Sequence, residues 1–342
     1  MADSAERFDY ALPEELIAQY PAARRDASRM LVLDRDTGTC RHARFADFPD
    51  LLEPGDVLIR NTSRVLPARL SATRTNGRPA EILLVHPDRD DTWLAMVHPG
   101  GKLKAGRTLT VAGDTTLEVV EVLGGGLRRL RRSGPLDWQQ LMERHGVVPL
   151  PPYIRRPPDA TDDERYQTVF AQEPGSIAAP TSGLHFTPDI LERLVTRGIH
   201  IHDVVLHVGP GTFKPVQTEH LEDHRMHAEW YRIEDDTARA VNGARKRGAR
   251  IWAVGTTVTR VLETVGPDGT LRPEEGWTDL FIRPPFTFRI VDALLTNFHL
   301  PRSTLLMLVC AFAGYDPALA AYRAAVEERY RFYSYGDAMV IR

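Results

Sequence analysis

Between about Ser71 and Leu136 the sequence lacks any long stretch with the 3.6-residue period of a helix, and this constrains the fold more than any other feature. Only short runs of alternating apolar and polar residues occur there, separated by turn residues such as Asn76-Gly77 and Gly124-Gly125-Gly126. Such runs are typical of a small antiparallel barrel or sandwich. The predicted strands span residues 80–85, 92–97, 108–111, 115–122 and 127–130.

Outside this region, apolar strand patterns alternate with helical patterns, which indicates a mixed or parallel α/β sheet. The predicted helices span residues 138–145, 188–197, 234–246, 258–265, 302–313 and 317–331, and a helix or strand begins at 165–170. The predicted strands include 30–34, 40–45, 57–59, 199–208, 251–254, 279–282, 286–290 and 337–341. Because 342 residues exceed the usual size of one core, we predict two domains, or one domain with a sizeable insertion. A mixed α/β (α+β) main domain comprises residues 1–70 and 150–342, and an all-β domain is inserted at 71–149.

Composition and charge narrow the class of protein. The chain is 42% hydrophobic with a formal net charge of −3, which is typical of a globular protein and argues against a generally basic nucleic-acid coat. Cys40 and Cys310 lie far apart and form no zinc spacing. The N-terminus is polar, and the best apolar run, Leu305 to Phe312, is far too short to cross a bilayer. We expect a soluble, cytoplasmic protein.

The stretch from Ala179 to Asp189 has the composition of a site. Thr181, Ser182, Gly183 and His185 precede a helix whose start is predicted by Thr187 as N-cap and Pro188 at the first position. Hydroxyls next to a helix N-terminus hold polar or anionic ligands. The same residues fit a structural turn with a hydrogen-bonded core histidine equally well.

Three downstream segments carry similar chemistry. His207-Val208-Gly209-Pro210-Gly211-Thr212 lets a backbone approach a ligand closely but lacks the lysine of a phosphate-binding loop. Gly255-Thr256-Thr257 joins an apolar strand to a helix, which is a generic anion site. His224-x-x-His227-x-Glu229 contains metal-ligand residue types, but its spacing favours hydrogen bonding or acid/base chemistry.

Each of two arginine-rich segments fits two different roles. Arg25 and Arg29 lie in a loop that faces either phosphates or solvent. Arg128-Arg129-Leu130-Arg131-Arg132 fits a phosphate-binding edge, but a charged edge strand that prevents aggregation is favoured.

A set of motifs covers nearly the whole chain in order and resembles the S-adenosylmethionine:tRNA ribosyltransferase-isomerase family of queuosine biosynthesis. The motifs are Arg25-Asp26-Ala27-Ser28-Arg29, Val65-Leu66-Pro67-Ala68-Arg69, Pro149 to Ile154, Tyr166 to Phe170, Pro180 to Phe186, Leu206 to Phe213, Val254 to Thr257, Thr296-Asn297-Phe298-His299-Leu300-Pro301, Phe312-Ala313-Gly314 and Tyr330 to Met339.

The resemblance implies a reaction and a set of roles. The ribosyl part of S-adenosylmethionine is transferred to a 7-aminomethyl-7-deazaguanine base at the tRNA wobble position and isomerised, with adenine and methionine released. Proton transfer is assigned to His185, His207, His227 and Glu229. Co-substrate binding is assigned to Thr181, Ser182, Gly183, Gly209, Gly211, Thr212, Gly255, Thr256 and Thr257, and tRNA binding to Arg25, Arg29, Arg64, Arg69, Arg155 and Arg156. No metal is expected, and the protein is expected to be a monomer.

Two other classes of function remain to be distinguished. The α/β half and the Gly255 turn also fit an S-adenosylmethionine-dependent methyltransferase, although a glycine-rich turn after the first strand is missing. A non-catalytic RNA-binding module is disfavoured by the negative charge and by the lack of aromatic RNA-binding motifs.

Overall fold

The computed structural model describes residues 4–213 and 220–342. Its strands are β1 (Arg29–Leu33), β2 (Cys40–Arg44), β3 (Val57–Asn61), β4 (Ser63–Val65), β5 (Arg69–Arg74), β6 (Pro79–Pro87), β7 (Thr92–His98), β8 (Thr108–Ala112), β9 (Thr115–Val122), β10 (Leu127–Ser133), β11 (Gly146–Val147), β12 (Glu173–Ser176), β13 (His200–Leu206), β14 (Glu229–Ile233), β15 (Ile251–Val254), β16 (Glu274–Thr278), β17 (Ala293–Asn297) and β18 (Ala338–Ile341). Its α-helices are α1 (Trp138–His145), α2 (Asp162–Arg165), α3 (Pro188–Thr196), α4 (Asp235–Lys246), α5 (Thr256–Val265), α6 (Thr304–Ala313) and α7 (Tyr315–Glu327).

A nine-stranded mixed sheet forms the larger part of the fold, in the order β16-β14-β13-β3-β15-β17-β18-β1-β2. Its four central strands, β13, β3, β15 and β17, run parallel. Successive residues of a strand point to opposite faces, so Val57 and Ile59 pack into the core on one face while Leu58 packs into a second core on the other. Because both faces are covered, β15 is buried at all four positions.

Six antiparallel strands close into a barrel in the order β5-β6-β7-β10-β9-β8, with β8 pairing back to β5. The barrel has its own core, which includes Leu70, Ile82, Leu117 and Leu130. The predicted fold class, a mixed α/β sheet with an inserted antiparallel barrel, is confirmed. The barrel contains β5, which the sequence analysis did not predict.

The arginines of β10 have internal partners. The expectation that this segment is an edge strand is wrong, because β10 lies between β7 and β9. Arg128 is buried and donates to the carbonyls of Leu103 and Gly100. Arg129 pairs with Asp88, and Arg132 pairs with Asp91. These contacts argue against a phosphate-binding role for this strand.

Three predicted segments are wrong. Residues 279–282 and 286–290 form no strand, and the strand of this region is the earlier β16. Pro284 and Pro285 cannot donate to a ladder, and the buried Glu263 carboxylate instead accepts the backbone N–H groups of residues 289–291. Residues 165–170 also begin no element, because the short helix there is α2, which ends at Arg165.

The helices that pack against the nine-stranded sheet lie close to their predicted bounds. Thr187 is the N-cap of α3 and accepts a hydrogen bond from the Ile190 N–H, as predicted. Helix α5 begins two residues earlier than predicted, so Thr256 and Thr257 belong to its first turn. Within the described ranges no single helix has the length and hydropathy to cross a membrane, and α6 and α7 meet that criterion only as a pair bent by 117°.

Candidate active site

A cleft opens at the carboxyl ends of β15 and β17, where parallel strands of an α/β sheet commonly place their ligands. Its empty space, open mouth included, is about 760 Å³. The polar and aromatic lining residues come from five segments of the chain. They are Tyr153, Thr181, Ser182, Thr256, Thr257, Asn297, His299, Ser303, Tyr333 and Ser334.

The N-terminus of α5 forms one wall of the cleft. Gly255 caps this helix with φ of 93°, a left-handed conformation that favours glycine. A Cβ on Gly255 would lie 3.2 Å from Ser182 Oγ, so glycine also permits the close approach of the 181–185 segment. The first backbone N–H groups of a helix lack internal partners and bind anions. This wall therefore combines N–H donors with the hydroxyls of Ser182, Thr256 and Thr257.

Two buried hydroxyls that line the cleft have no hydrogen-bond partner among the described residues, Thr257 Oγ1 and Tyr333 Oη. Burial raises the pKa of Tyr333 well above its usual value, so the phenol stays protonated and can donate. Tyr333 also has φ of 73°, which is a rare conformation for a bulky residue. Unpaired buried polar atoms and backbone strain concentrate at binding sites, and a ligand in the cleft would satisfy both hydroxyls.

A chain of hydrogen bonds runs from the cleft into the core. Thr181 Oγ1 donates to Asn297 Oδ1 at 3.1 Å, and Asn297 Nδ2 donates to His185 Nε2 at 3.2 Å. The other ring nitrogen of His185 bonds Ser28 Oγ at 2.9 Å. His185 is 3% exposed, and burial together with Arg25 and Arg331 lowers its pKa to about 3. His185 is therefore a neutral imidazole. It lies behind Asn297, which lines the cleft, and its hydrogen bond holds Asn297 in place.

His299 is the imidazole that lines the cleft itself, a position that the sequence analysis did not give it. Its Nε2 shares a 2.8 Å hydrogen bond with Thr296 Oγ1, and burial lowers its pKa to about 3. The Asn-Phe-His-Leu-Pro motif contained this signal, but a histidine before Leu-Pro is also a common structural cap. Asn297, Tyr153 and Tyr333 were likewise missed as site residues, because only the tertiary fold brings their segments together.

His207 and His227 lie outside the lining of the cleft. His207 stacks on Trp230 with 5.1 Å between ring centroids, and its Nδ1 shares a 2.8 Å hydrogen bond with Ser63 Oγ. Burial lowers the pKa of His207 to about 4. His227 is partly buried and packs against Gly211, where a Cβ would lie 2.6 Å from its Cδ2 atom.

Glu229 forms a buried ion pair with Arg260, and both side chains are about 5% exposed or less. Its other oxygen accepts the Gly209 N–H at 2.8 Å. Arg260 donates further to the carbonyls of Leu280 and Thr278. The carboxylate thus connects Arg260 to the segment after β13. In the described parts of the chain no group of three or more His, Cys, Asp or Glu side chains is arranged to hold a metal ion.

The predicted co-substrate residues divide into two groups. Thr181, Ser182, Gly255, Thr256 and Thr257 meet at the cleft. Gly183 packs behind it, where a Cβ would lie 2.7 Å from Phe170 Cζ. Gly209, Gly211 and Thr212 follow Val208, and of these four residues Val208 lines the cleft. Gly211 and Thr212 lie in the short 3₁₀ helix Pro210–Phe213.

The predicted tRNA-binding arginines are mostly engaged within the protein. Arg156 binds Asp162 through two bonds of 2.6 and 2.7 Å. Arg155 pairs with Glu14, Arg69 with Glu81, and Arg29 with Glu328. Arg25 donates to two backbone carbonyls, and Arg64 is exposed. Among the described residues, no carboxylate lies within ion-pair distance of the Arg25 or Arg64 guanidinium group.

Comparison with known proteins identifies the family. The model of the family described as queuosine biosynthesis protein matches residues 5–341. A protein named S-adenosylmethionine:tRNA ribosyltransferase-isomerase from Thermotoga maritima is 51% identical over 336 residues, which cover 98% of each chain. One of the same name from Anaeromyxobacter sp. is 52% identical over 338 residues, 98% of this chain and 97% of the relative. The chain belongs to the queuosine biosynthesis protein family.

A solved structure of this family has the same fold. The crystal structure of S-adenosylmethionine tRNA ribosyltransferase from Thermotoga maritima aligns with a TM-score of 0.56 and 40% identity, covering 98% of this chain and 100% of that one. The family resemblance found in the motifs is confirmed, and so is the expected class of enzyme, a ribosyltransferase-isomerase.

Proposed function

We propose that this chain transfers the ribosyl part of S-adenosylmethionine to the 7-aminomethyl-7-deazaguanine wobble base of tRNA and isomerises it, with release of adenine and methionine. The observation that carries this proposal is the identity of about half of all residues to ribosyltransferase-isomerases over 98% of the chain. The modified product on the RNA is epoxyqueuosine.

The chemistry of the cleft fits S-adenosylmethionine as co-substrate. Its methionine carboxylate matches the anion-binding N-terminus of α5 with Thr256 and Thr257. Its ribose hydroxyls and adenine nitrogens match the unpaired hydroxyls of Thr257 and Tyr333. Tyr153 and Tyr333, with ring centroids 4.2 Å apart, offer aromatic surface for a purine.

The reaction needs two proton transfers. The sulfonium acidifies the ribose C5′ hydrogens, so a base must remove one, and protonation by an acid helps adenine to leave. We retain His185, His207, His227 and Glu229 as candidates and add His299, because it lines the cleft. Replacing His299 with Gln should lower kcat at least about tenfold in a folded variant, as expected for loss of an acid/base group.

The proposal extends to the working state of the protein. The enzyme acts in the cytoplasm as a monomer, takes S-adenosylmethionine and a tRNA anticodon stem-loop as its partners, and needs no metal. Both cysteines are free, which fits a reducing compartment. We divide the chain into a catalytic domain of residues 1–70 and 150–342 and an inserted domain of residues 71–149.

A product assay tests this function. The chain is incubated with S-adenosylmethionine and an anticodon stem-loop that carries the 7-aminomethyl-7-deazaguanine base. We expect adenine and methionine in equal amounts and a matching mass gain on the RNA. S-adenosylhomocysteine with methylated RNA would instead establish a methyltransferase, and RNA binding without turnover would establish a binding module.

A further inference from the structure

A second, smaller pocket adjoins the main cleft. The two share Ser334 as a lining residue, and the smaller one is also lined by Arg25, Arg165, Ser28 and His185. Hydroxyls, an imidazole and two guanidinium groups therefore surround one small space next to the site proposed for the reaction.

The guanidinium groups around this pocket form no ion pair among the described residues. Arg25, Arg165 and Arg331 are all partly buried, yet none of their guanidinium groups forms an ion pair with a carboxylate among the described residues. From Arg331, the Asp337 carboxylate accepts only the backbone N–H, at 2.8 Å. The guanidinium groups donate instead to backbone carbonyls: Arg25 to Leu184, Arg165 to Ala22 and Arg331 to Tyr20. By contrast, Arg156 nearby is fully paired with Asp162.

Burial and mutual repulsion act on these arginines. The pKa of Arg25 is lowered by its burial and by the neighbouring charge of Arg165, and burial lowers the pKa of Arg331. Glu164 and Asp337 exert weaker opposing effects on Arg25 and Arg331, respectively, without forming an ion pair. An anion between such groups would be stabilised, because unpaired charges in a partly buried site are costly.

One donor of Arg165 also lacks a partner. Arg165 Nε is buried and makes no hydrogen bond in the described structure, although both of its Nη atoms bond carbonyls. A guanidinium group presents its N–H donors in a planar fork that suits phosphate oxygens. The unpaired Nε of Arg165, the guanidinium groups without ion pairs and the adjoining hydroxyls of Ser28 and Ser334 favour binding of an anion.

We propose that the pocket lined by Arg25 and Arg165 binds a backbone phosphodiester of the tRNA, next to the nucleotide whose base enters the main cleft. This inference rests on the proposed function. A phosphodiester is favoured over the methionine carboxylate because the N-terminus of α5 already supplies a carboxylate site on the cleft wall, and because two guanidinium groups match the oxygens of a phosphate.

The test measures RNA binding and co-substrate binding separately in Arg25→Gln and Arg165→Gln. We expect each substitution to weaken binding of the anticodon stem-loop about fivefold or more, and to reduce the slope of log Kd against log salt by about 0.7 to 1, as for one lost phosphate contact. The affinity for S-adenosylmethionine should change less than about twofold. Arg25→Lys keeps the charge and should retain the wild-type salt slope.

Arg247→Gln is the matched control, because Arg247 is exposed just before β15, at the opposite end of that strand from the cleft. Denaturant titration gives the folded fraction, and binding is computed on that fraction. An unchanged salt slope in both pocket variants would overturn the proposal, as would a loss of S-adenosylmethionine affinity with RNA binding intact. Failure of the proposed function is distinguishable, since the wild-type chain would then yield no adenine or modified RNA.

Discussion

At the scale of single residues, the cleft contains polar atoms that the protein alone does not satisfy. Thr257 Oγ1 and Tyr333 Oη are buried without partners, whereas deeper polar groups such as Asn297 and His185 are bonded to one another. An unsatisfied buried hydroxyl costs about 1–3 kcal/mol. We propose that hydrogen bonding to a bound ligand offsets this cost at Thr257 and Tyr333.

Removing these hydroxyls should separate stability from binding. In Thr257→Val and Tyr333→Phe we expect a free energy of unfolding within about 1 kcal/mol of wild type, because no protein partner is lost. Affinity for S-adenosylmethionine, measured by calorimetry, should fall about 5- to 30-fold for each lost hydrogen bond. Thr168→Val is the control, since its unpaired buried hydroxyl lies outside the cleft lining. Unchanged affinity in both cleft variants would refute the assignment.

The buried histidines should make the fold sensitive to acid. His185 has a folded-state pKa of about 3 against an ordinary 6.5, so the unfolded chain binds one more proton between these values. The contribution of His185 to the free energy of unfolding is fully present above about pH 6.5. Below that pH it falls by about 1.4 kcal/mol per pH unit. Urea unfolding between pH 7 and pH 4.5 should therefore give a shallower pH slope in His185→Asn than in wild type. The exposed His200 provides the control substitution. Equal slopes in wild type and His185→Asn would contradict this prediction, because they would mean that protonation of the buried imidazole does not destabilise the fold.

At the scale of elements, β14 and α5 are tied by the Glu229–Arg260 pair beneath the site. Glu229→Gln leaves Arg260 buried without a countercharge, and we expect a loss of about 3–5 kcal/mol in the free energy of unfolding. The double variant Glu229→Gln, Arg260→Met should recover part of that loss. A Glu229→Gln protein of wild-type stability with a strongly lowered kcat would instead support proton transfer by Glu229. Denaturant titration and steady-state kinetics on the same preparations distinguish these results.

The turn between β15 and α5 sets the distance between two walls of the cleft. Gly255→Ala forces a side chain into φ of 93° and places its Cβ 3.2 Å from Ser182 Oγ. Gly248→Ala is a matched control, because Gly248 also has a positive φ, 74°, but open space around its missing Cβ. Both should lose about 1–3 kcal/mol of stability from backbone strain. Only Gly255→Ala should also weaken S-adenosylmethionine binding, and equal affinities in the two variants would contradict this role of the turn.

The sequence predicts those elements best whose apolar pattern alone decides their structure. The strands β6 to β10 were found because their faces alternate, and Thr187 marked the start of α3 correctly. β16 was missed because its sequence, Glu-Glu-Gly-Trp-Thr, is charged and lies at the sheet edge. The apolar residues after it were mistaken for strands, although they cover the core while Glu263 binds their backbone.

At the scale of the whole molecule, the site is a property of the assembled sheet. Thr181, Ser182, Thr256 and Thr257 were predictable, since each hydroxyl lies beside a local helix start. Tyr153 and Tyr333 carry no local signal, and 180 residues separate these two positions, whose rings are in contact in the cleft. The local concentration of positive charge was not predictable either. The chain has a net charge of −3, and only the fold brings Arg25, Arg165 and Arg331 together.

The most direct test of the central claim is a crystal structure of the chain with S-adenosylmethionine in the absence of RNA, when no acceptor is present for the transfer. We expect the ligand in the cleft at the ends of β15 and β17, with polar atoms within about 3.2 Å of both Thr257 Oγ1 and Tyr333 Oη. Ligand bound elsewhere, with these two hydroxyls still unpaired, would contradict the account.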